Sequence, residues 1–296
     1  MQPVFSIIIP TYNRCELLPK AIDSVVNQHY SDWELVIVDD GSTDQTAEVV
    51  AGFDDGRIRY VNQTNQQLSA ARNRGMQEAT GRYFCFLDDD DVFLPNHLGV
   101  LANAMEATNY RYQVYRSGIL HRREGMDIPQ RQFTNGEDSL VELWRAPVGQ
   151  FGMVFSYEAV SAIYFDRKQL LLEDFTWLNK VLRDHQLYQV DTHTAVMLFH
   201  RAQRSYSYLT KALLQSNLTY LSQAYNLPGN VERVPESYYR DQVVHQHTHY
   251  CRQLIRAGQR IEAVSVLGKA MLYASWRNRR DIVVTFAKLL LPKQLT

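Results

Sequence analysis

Four consecutive carboxylates, Asp88 to Asp91, are the residues best suited to chemistry, and they directly follow the short apolar run Tyr83 to Leu87, YFCFL. Like charges this close repel one another, and a fold that gathers them needs a cation. A hard divalent ion such as Mg²⁺ or Mn²⁺ is held by one or two carboxylates together with substrate phosphates. The bland alternative is a solvated acidic turn, but the run stands where a buried strand stops. Two other polar clusters follow apolar runs: Thr11-Tyr12-Asn13-Arg14 and Asp39-Asp40. An aromatic ring at Tyr12 can stack on a nucleobase or simply pack. A carboxylate at Asp40 can accept from a base or ribose, or Asp39 or Asp40 can cap the helix that follows. Glu173-Asp174 opens a helical stretch, Phe175 to Leu182, where an acid is either a cap or a general base for a hydroxyl. The chain has no GxGxxG and no GxxxxGK[ST] after its first strand. A glycine-rich loop is therefore not the phosphate cradle. The charge of a diphosphate would be met by an aspartate-held metal, with Arg72 or Arg201 as helpers. His245, His247 and His249 lack a neighbouring Cys or an HExxH pattern and read as a polar helix face.

Strands must place these clusters. Val4 to Ile9 is a β-branched apolar run that suits a strand buried on both faces, with Pro10 ending it. Trp33 to Val38, Arg57 to Val61 and Tyr83 to Leu87 read as further strands. Between them, helices are expected over Glu16 to Gln28, over Thr43 to Phe53 with Ser42 or Thr43 as N-cap, and over Leu68 to Thr80 with Gly81 as C-cap. Another helix is expected over Pro95 to Thr108. This alternation implies a mainly parallel sheet with helices on both faces, and such sheets bind ligands beyond the carboxyl ends of their strands. All the polar clusters of the first half fall there. From about Arg111 to Leu172 the pattern is less regular and suits an acceptor-facing sheet and loops. From Tyr206 onward it is helical, with apolar positions at Ile261, Val264, Leu267, Ala270, Met271 and Ala274, and a last short helix from Asp281 to Leu291. The expected domains are 1–205, catalytic, and 206–296, a helical appendage.

The 296 residues are 45% hydrophobic and 21% charged, enough for a core without staples. A net charge of -1 gives no sign of nucleic-acid binding. Cys15, Cys85 and Cys251 are widely spaced, as reduced thiols are. The N-terminus lacks a signal-peptide pattern, and no apolar run approaches the roughly 20 residues of a membrane span. The expectation is a soluble, cytoplasmic protein, at most peripheral at the inner face of a membrane. Arg277, Arg279 and Arg280 form a modest basic patch.

In combination, SIIIPTYNR, AIDSVVNQHYSDWELVIVDDGSTDQT, SAARNRG and ATGRYFCFLDDDD resemble the family-2 glycosyltransferases of the GT-A fold. The likeness is dense from Val4 to Pro95, resumes at LLLEDFTWL and touches FHRAQRS. It implies an α/β GT-A fold, Rossmann-like, with a mostly parallel mixed sheet. It also implies a nucleotide-sugar donor, Mn²⁺ or Mg²⁺, and inverting transfer to a glycan or glycolipid acceptor. Carried over to this sequence, Pro10, Thr11, Tyr12 and Arg14 line the donor site, with Tyr12 stacking on the base. Asp40 contacts the base and Arg72 lies near the nucleotide. Asp88 points to the ribose, Asp90 to the metal, and Asp89 takes part in donor binding. Asp174 is the base, and His200 is a further metal or phosphate contact. Uridine is the base by family habit, with thymidine and guanosine left open, as is a homo-oligomer. Two departures stand out. Gln67 occupies a position where the family often has Gly, and the segment before Glu173 lacks the family's frequent Gly. Rival readings are an inactive nucleotide-sugar-binding module and a sugar nucleotidylyltransferase, whose usual Gly-rich basic loop is absent.

Overall fold

The computed structural model describes residues 2–199, 209–275 and 278–290. The chain forms two compact units, one of residues 1–139 and 148–201, the other of 140–147 and 202–296. The sequence division at 205 and 206 gives 140–147 to the first unit, whereas in the structure this segment groups with the C-terminal helices.

Among its described residues the first unit has a nine-stranded sheet. The strands are β1 (Phe5–Thr11), β2 (Trp33–Asp39), β3 (Ile58–Asn62), β4 (Tyr83–Phe86), β5 (Val92–Phe93), β6 (Val114–Arg123), β7 (Met126–Pro129), β8 (Met153–Ser156) and β9 (Leu187–Leu198). Their order is β3-β2-β1-β4-β8-β6-β9-β5, with β7 beside β6. β3, β2, β1 and β4 run parallel, β8 is antiparallel to both β4 and β6, and β6 is parallel to β9. Every residue of β1 and β2 is buried, which explains their unbroken apolar runs. Phe5, Ile7 and Ile9 pack with Leu18, Ile22 and Val25 of helix α1 (Leu18–Val26). Helix α2 (Thr46–Ala51) follows β2, and α3 (Leu68–Glu78) covers the other face, with Ala71 against Val36 and Val38. Helix α4 is His97–Ala107, α5 is Ser139–Arg145, α6 is Tyr157–Val160 and α7 is Glu173–Asp184.

Local expectations are corrected at several points. β1 does not stop at Pro10 but runs to Thr11, with Pro10 opposite Val38. The Ile8 carbonyl already accepts from Leu87 on the β4 side, and β4 ends at Phe86. The missing N–H of Pro10, two residues on, faces that same side, where no ladder remains to be served. Gly81 is not the cap of α3, which ends at Glu78. A Cβ at Gly81 would lie 2.7 Å from the Ser6 nitrogen, so the residue is there for close approach to β1. α2 starts at Thr46, later than Ser42 or Thr43 would set it, and Asp44 accepts from the Thr46 N–H and hydroxyl. The middle segment holds β6, β7 and β8, and the twelve-residue β9 joins β6 in a pairing that local pattern does not announce.

The second unit is helical: α5 from Leu140 on, α8 (Lys211–Tyr225), α9 (Asn230–Arg233), α10 (Glu236–Arg256), α11 (Arg260–Leu272) and α12 (Arg279–Leu290). Trp144 packs edge-on to Tyr225, which stacks on Tyr239. On α10, His247 is buried with Nδ1 2.8 Å from the Val243 carbonyl, so the three histidines do not form one polar face. On α11 the inward residues are Ala263, Val266, Leu267 and Ala270. Of the apolar positions that mark the helical pattern, Leu267 and Ala270 are inward, whereas Ile261, Val264 and Met271 point outward.

Candidate active site

The carboxyl ends of β1, β2 and β4 bring the predicted clusters to one edge. At the end of β4 the four aspartates take separate paths. Asp88 accepts from the Arg72 guanidinium at 2.9 Å. Asp89 accepts from the Thr11 hydroxyl at 2.8 Å. Asp90 lies 3.7 Å from Arg14. Asp91 is buried and accepts from the Leu198 N–H at 2.9 Å. Burial, relieved in part by the Thr11 bond, pushes Asp89 up to about 7. Burial and the neighbouring carboxylates, Asp88 foremost, push Asp91 up to about 9. Asp91 therefore joins β4 to β9 and is the structural member of the run.

Arg72 is the hub. It is only 2% exposed, and its other terminal nitrogen donates to Asp174 Oδ1 at 2.6 Å, with Glu173 4.0 Å away. Burial opposes the guanidinium charge, but Asp174, Asp88 and Glu173 outweigh it, so its pKa is raised. A planar guanidinium can serve two carboxylates in fixed directions, as an ammonium cannot. Asp174 is in the first turn of α7, whose N-cap position is Leu172, in the left-handed region and without a polar side chain to cap the helix. Gly149 closes the other side: a Cβ there would stand 3.0 Å from Asp174 Oδ2. Gly149 is the neighbour of the site that sequence reasoning missed, whereas Glu173 is singled out there only together with Asp174, as cap or base.

Arg72 is held by its helix. Next to it on α3, the Asn73 amide donates to the Phe165 carbonyl and accepts from the Phe165 N–H, both at 2.9 Å. At the head of α3, Asp40 accepts from the N–H groups of Gln66 and Gln67 at 2.9 and 2.8 Å and from the Gln63 side chain at 2.7 Å. Gln67, standing where a glycine is frequent in the resembled family, has φ 73° and ψ 164°. That region is essentially glycine territory. The backbone shape is kept without the glycine, and the Asp40 bonds hold it. Asp39 accepts from Ser42 N–H at 2.8 Å and from the Tyr60 hydroxyl.

Tyr12 is 46% exposed, so its ring is not a packing residue. Thr11 is buried, its carbonyl accepting from Asp40 N–H. Pro10 is buried in β1 beside them. The adjacent Asn13 ties the two loops together, its N–H donating to Ser42 Oγ and its side-chain oxygen accepting from Thr43 N–H, both at 2.8 Å. Eleven positions were singled out for the site. Ten of them, Pro10, Thr11, Tyr12, Arg14, Asp40, Arg72, Asp88, Asp89, Asp90 and Asp174, are among the described residues; His200, like the helper Arg201, lies outside them.

Residues 6–153, half of the chain, match the family model for glycosyl transferase family 2. The chain belongs to that family. It is 40% identical over 127 residues to the GalNAc(5)-diNAcBac-PP-undecaprenol beta-1,3-glucosyltransferase of Campylobacter jejuni, covering 42% of this chain and 40% of that one. It is 37% identical over 108 residues to the UDP-Glc:alpha-D-GlcNAc-diphosphoundecaprenol beta-1,3-glucosyltransferase of Escherichia coli, covering 36% of this chain and 43% of the relative. The chain thus spans less than half the length of these curated relatives. Among solved structures it resembles S. aureus TarS 1-349 in complex with UDP-GlcNAc, with TM-score 0.71, 18% identity, and 96% and 87% of the two chains covered. It also resembles the mannosyltransferase PcManGT from Pyrobaculum calidifontis in complex with GDP-Man and Mn2+, with TM-score 0.60, 18% identity, and 99% and 82% covered. At this identity the likeness establishes the fold, an α/β GT-A fold with a helical C-terminal region.

Proposed function

We propose that the chain is a metal-dependent, inverting glycosyltransferase that moves a sugar from a nucleoside diphosphate sugar, foremost a UDP-sugar, to a hydroxyl of a glycan or glycolipid acceptor in bacterial polysaccharide or glycoconjugate synthesis. The observation that carries this reading is the buried Arg72 bonded at once to Asp88 and Asp174, which joins the acidic run to a carboxylate able to act as base. A relative that uses UDP-Glc and a structural neighbour bound to UDP-GlcNAc favour uridine, while a neighbour bound to GDP-Man keeps guanosine in the test.

The donor set fits a hard divalent ion. Asp88 and Asp90 offer carboxylate oxygens, with side chains 34% and 15% exposed. Among the described residues no group of three or more His, Cys, Asp or Glu could enclose a metal. One or two protein carboxylates are what Mn²⁺ or Mg²⁺ takes when diphosphate oxygens complete its shell. Bound there, such an ion would offset the charge growing on the departing diphosphate.

The chain's own residues do the rest. Tyr12 stacks on the base, and Asp40 accepts from it through capacity left beside its three bonds, since a carboxylate has about four acceptor sites. Thr11 holds Asp89, a further donor contact, and Arg14 holds Asp90. Asp174 takes the proton of the attacking hydroxyl while Arg72 fixes its direction. One base and no second nucleophile suffices for a single displacement, which inverts the sugar. Among the described residues no helix is long and apolar enough to cross a membrane, and relatives act on undecaprenol-linked sugars, so we further propose a peripheral membrane contact.

The test is thermal unfolding with UDP, GDP and TDP, each with and without Mn²⁺, followed by a transfer assay with the stabilising nucleotide's sugars. Stabilisation by one nucleotide, strengthened by Mn²⁺, is expected. Stabilisation without transfer to any glycan would turn the reading to an inactive binding module.

A further inference from the structure

Helices α11 and α12 are apolar on two faces. Their inner faces bury Ala263, Val266, Leu267 and Ala270 on α11, and Thr285 and Leu289 on α12. Yet Ile261 is 91% and Leu272 78% exposed, and Val264 and Met271 stand out beside them. At helical spacing these four fall on one stripe of α11, turned away from the buried residues. On α12, Val283 and Phe286 are 64% and 54% exposed, one turn apart. A surface helix facing only water carries polar residues there, and a run of exposed apolar side chains marks a surface meant to be covered.

Charge indicates what covers it. From Arg256 to Lys288 the sequence has seven Arg or Lys and two acids, in a chain of net charge -1. Both acids have partners within the unit: Asp281 is paired with Arg252 at 3.1 Å, and Glu262 accepts from the Tyr250 hydroxyl at 3.4 Å. Lys269, Arg279 and Arg280 are exposed. A second copy docking by the same face would bring like charges together. A surface of apolar side chains framed by cations instead matches the boundary of an anionic bilayer, where the apolar groups enter the headgroup region and the cations meet phosphates.

We propose that the outer faces of α11 and α12 form a docking surface for an anionic lipid bilayer. This deepens the peripheral contact proposed above and gives it an address in the chain. The experiment is co-sedimentation of the full chain with phosphatidylglycerol-containing vesicles and with pure phosphatidylcholine vesicles, at low and high salt. Binding to the anionic vesicles that weakens with salt is expected. The triple variant Ile261→Glu, Leu272→Glu, Phe286→Glu should lose about tenfold or more of that binding, as apolar contacts become repulsive carboxylates. Arg279→Ser with Arg280→Ser, a milder change, should lose the preference for anionic over neutral vesicles and keeps the test decisive if the triple variant misfolds. No binding to anionic vesicles, or binding unchanged in the variants, overturns the proposal. So does a wild-type dimer that the triple variant dissolves while neither binds vesicles, since the face would then belong to a second copy. The nucleotide melting shift is measured on the same samples: its loss in the wild type would sink the transferase reading and leave vesicle binding to be judged by itself.

Discussion

The sheet edge of the first unit and the outer face of α11 and α12 treat charge in opposite ways. At the edge, one buried guanidinium meets two aspartates at 2.9 and 2.6 Å, and a hydroxyl, a backbone N–H and a second arginine claim the remaining acids of the run. On the helices, cations and large apolar side chains face outward together. The first arrangement depends on direction, so a change of one atom should matter. The second depends on sums of area and charge, so single changes should be small and additive. The site proposed for bond-making and the surface proposed for adhesion differ in this way.

The largest expected effect tests the directional side. Asp174→Asn should lower turnover by about 10²- to 10⁴-fold, the usual contribution of a positioned base, while nucleotide binding persists. A transfer assay beside the melting shift separates the two, and near-normal turnover would remove Asp174 from its role. Next, Arg72→Met leaves Asp88 and Asp174 facing an apolar chain. A loss of roughly 3 kcal/mol in urea unfolding is expected, at the low end for a broken buried pair because both aspartates reach solvent. Arg72→Lys should recover only part of it. Gln67→Gly relieves a backbone shape that glycine adopts freely and should stabilise the chain by about 1 kcal/mol. Unchanged stability would mean the loop carries no strain.

A further effect concerns pH. Burial lifts Asp91 from its ordinary 3.8 to about 9, so the folded chain keeps a proton that the unfolded chain releases. Stability from this group is full below the lower value and is lost as pH rises toward the upper one. Asn at this position keeps an oxygen for the Leu198 N–H and has nothing to titrate. With chelator present, unfolding between about pH 6 and about pH 8 should therefore vary less in Asp91→Asn than in wild type. An identical slope would assign the pH dependence to other groups.

Much of the edge was legible because β1, β2 and β4 are buried runs whose ends are marked by polar residues. The resemblance added the role of Asp174, and the structure added its partner, 102 residues away in sequence. No local pattern encodes such a pairing. The same holds for β9 against β6 and for Gly149 against Asp174, which depend on register and loop path. Pro10 and Gly81 misled for a related reason: each has a local meaning, strand end or helix cap, that a neighbouring strand overrides. On α11, periodicity counted apolar positions without telling which of two apolar faces is inward.

The paired bonds between Asn73 and Phe165 have a consequence for binding. The helix that carries Arg72 is fastened at its middle by that amide and at its head by Asp40. A loose arginine would surrender about 2 kcal/mol of rotational freedom when substrates arrived. Here that freedom has already been lost in folding, so the encounter with donor and acceptor need not supply it, and more of their interaction energy is left to appear as affinity or rate.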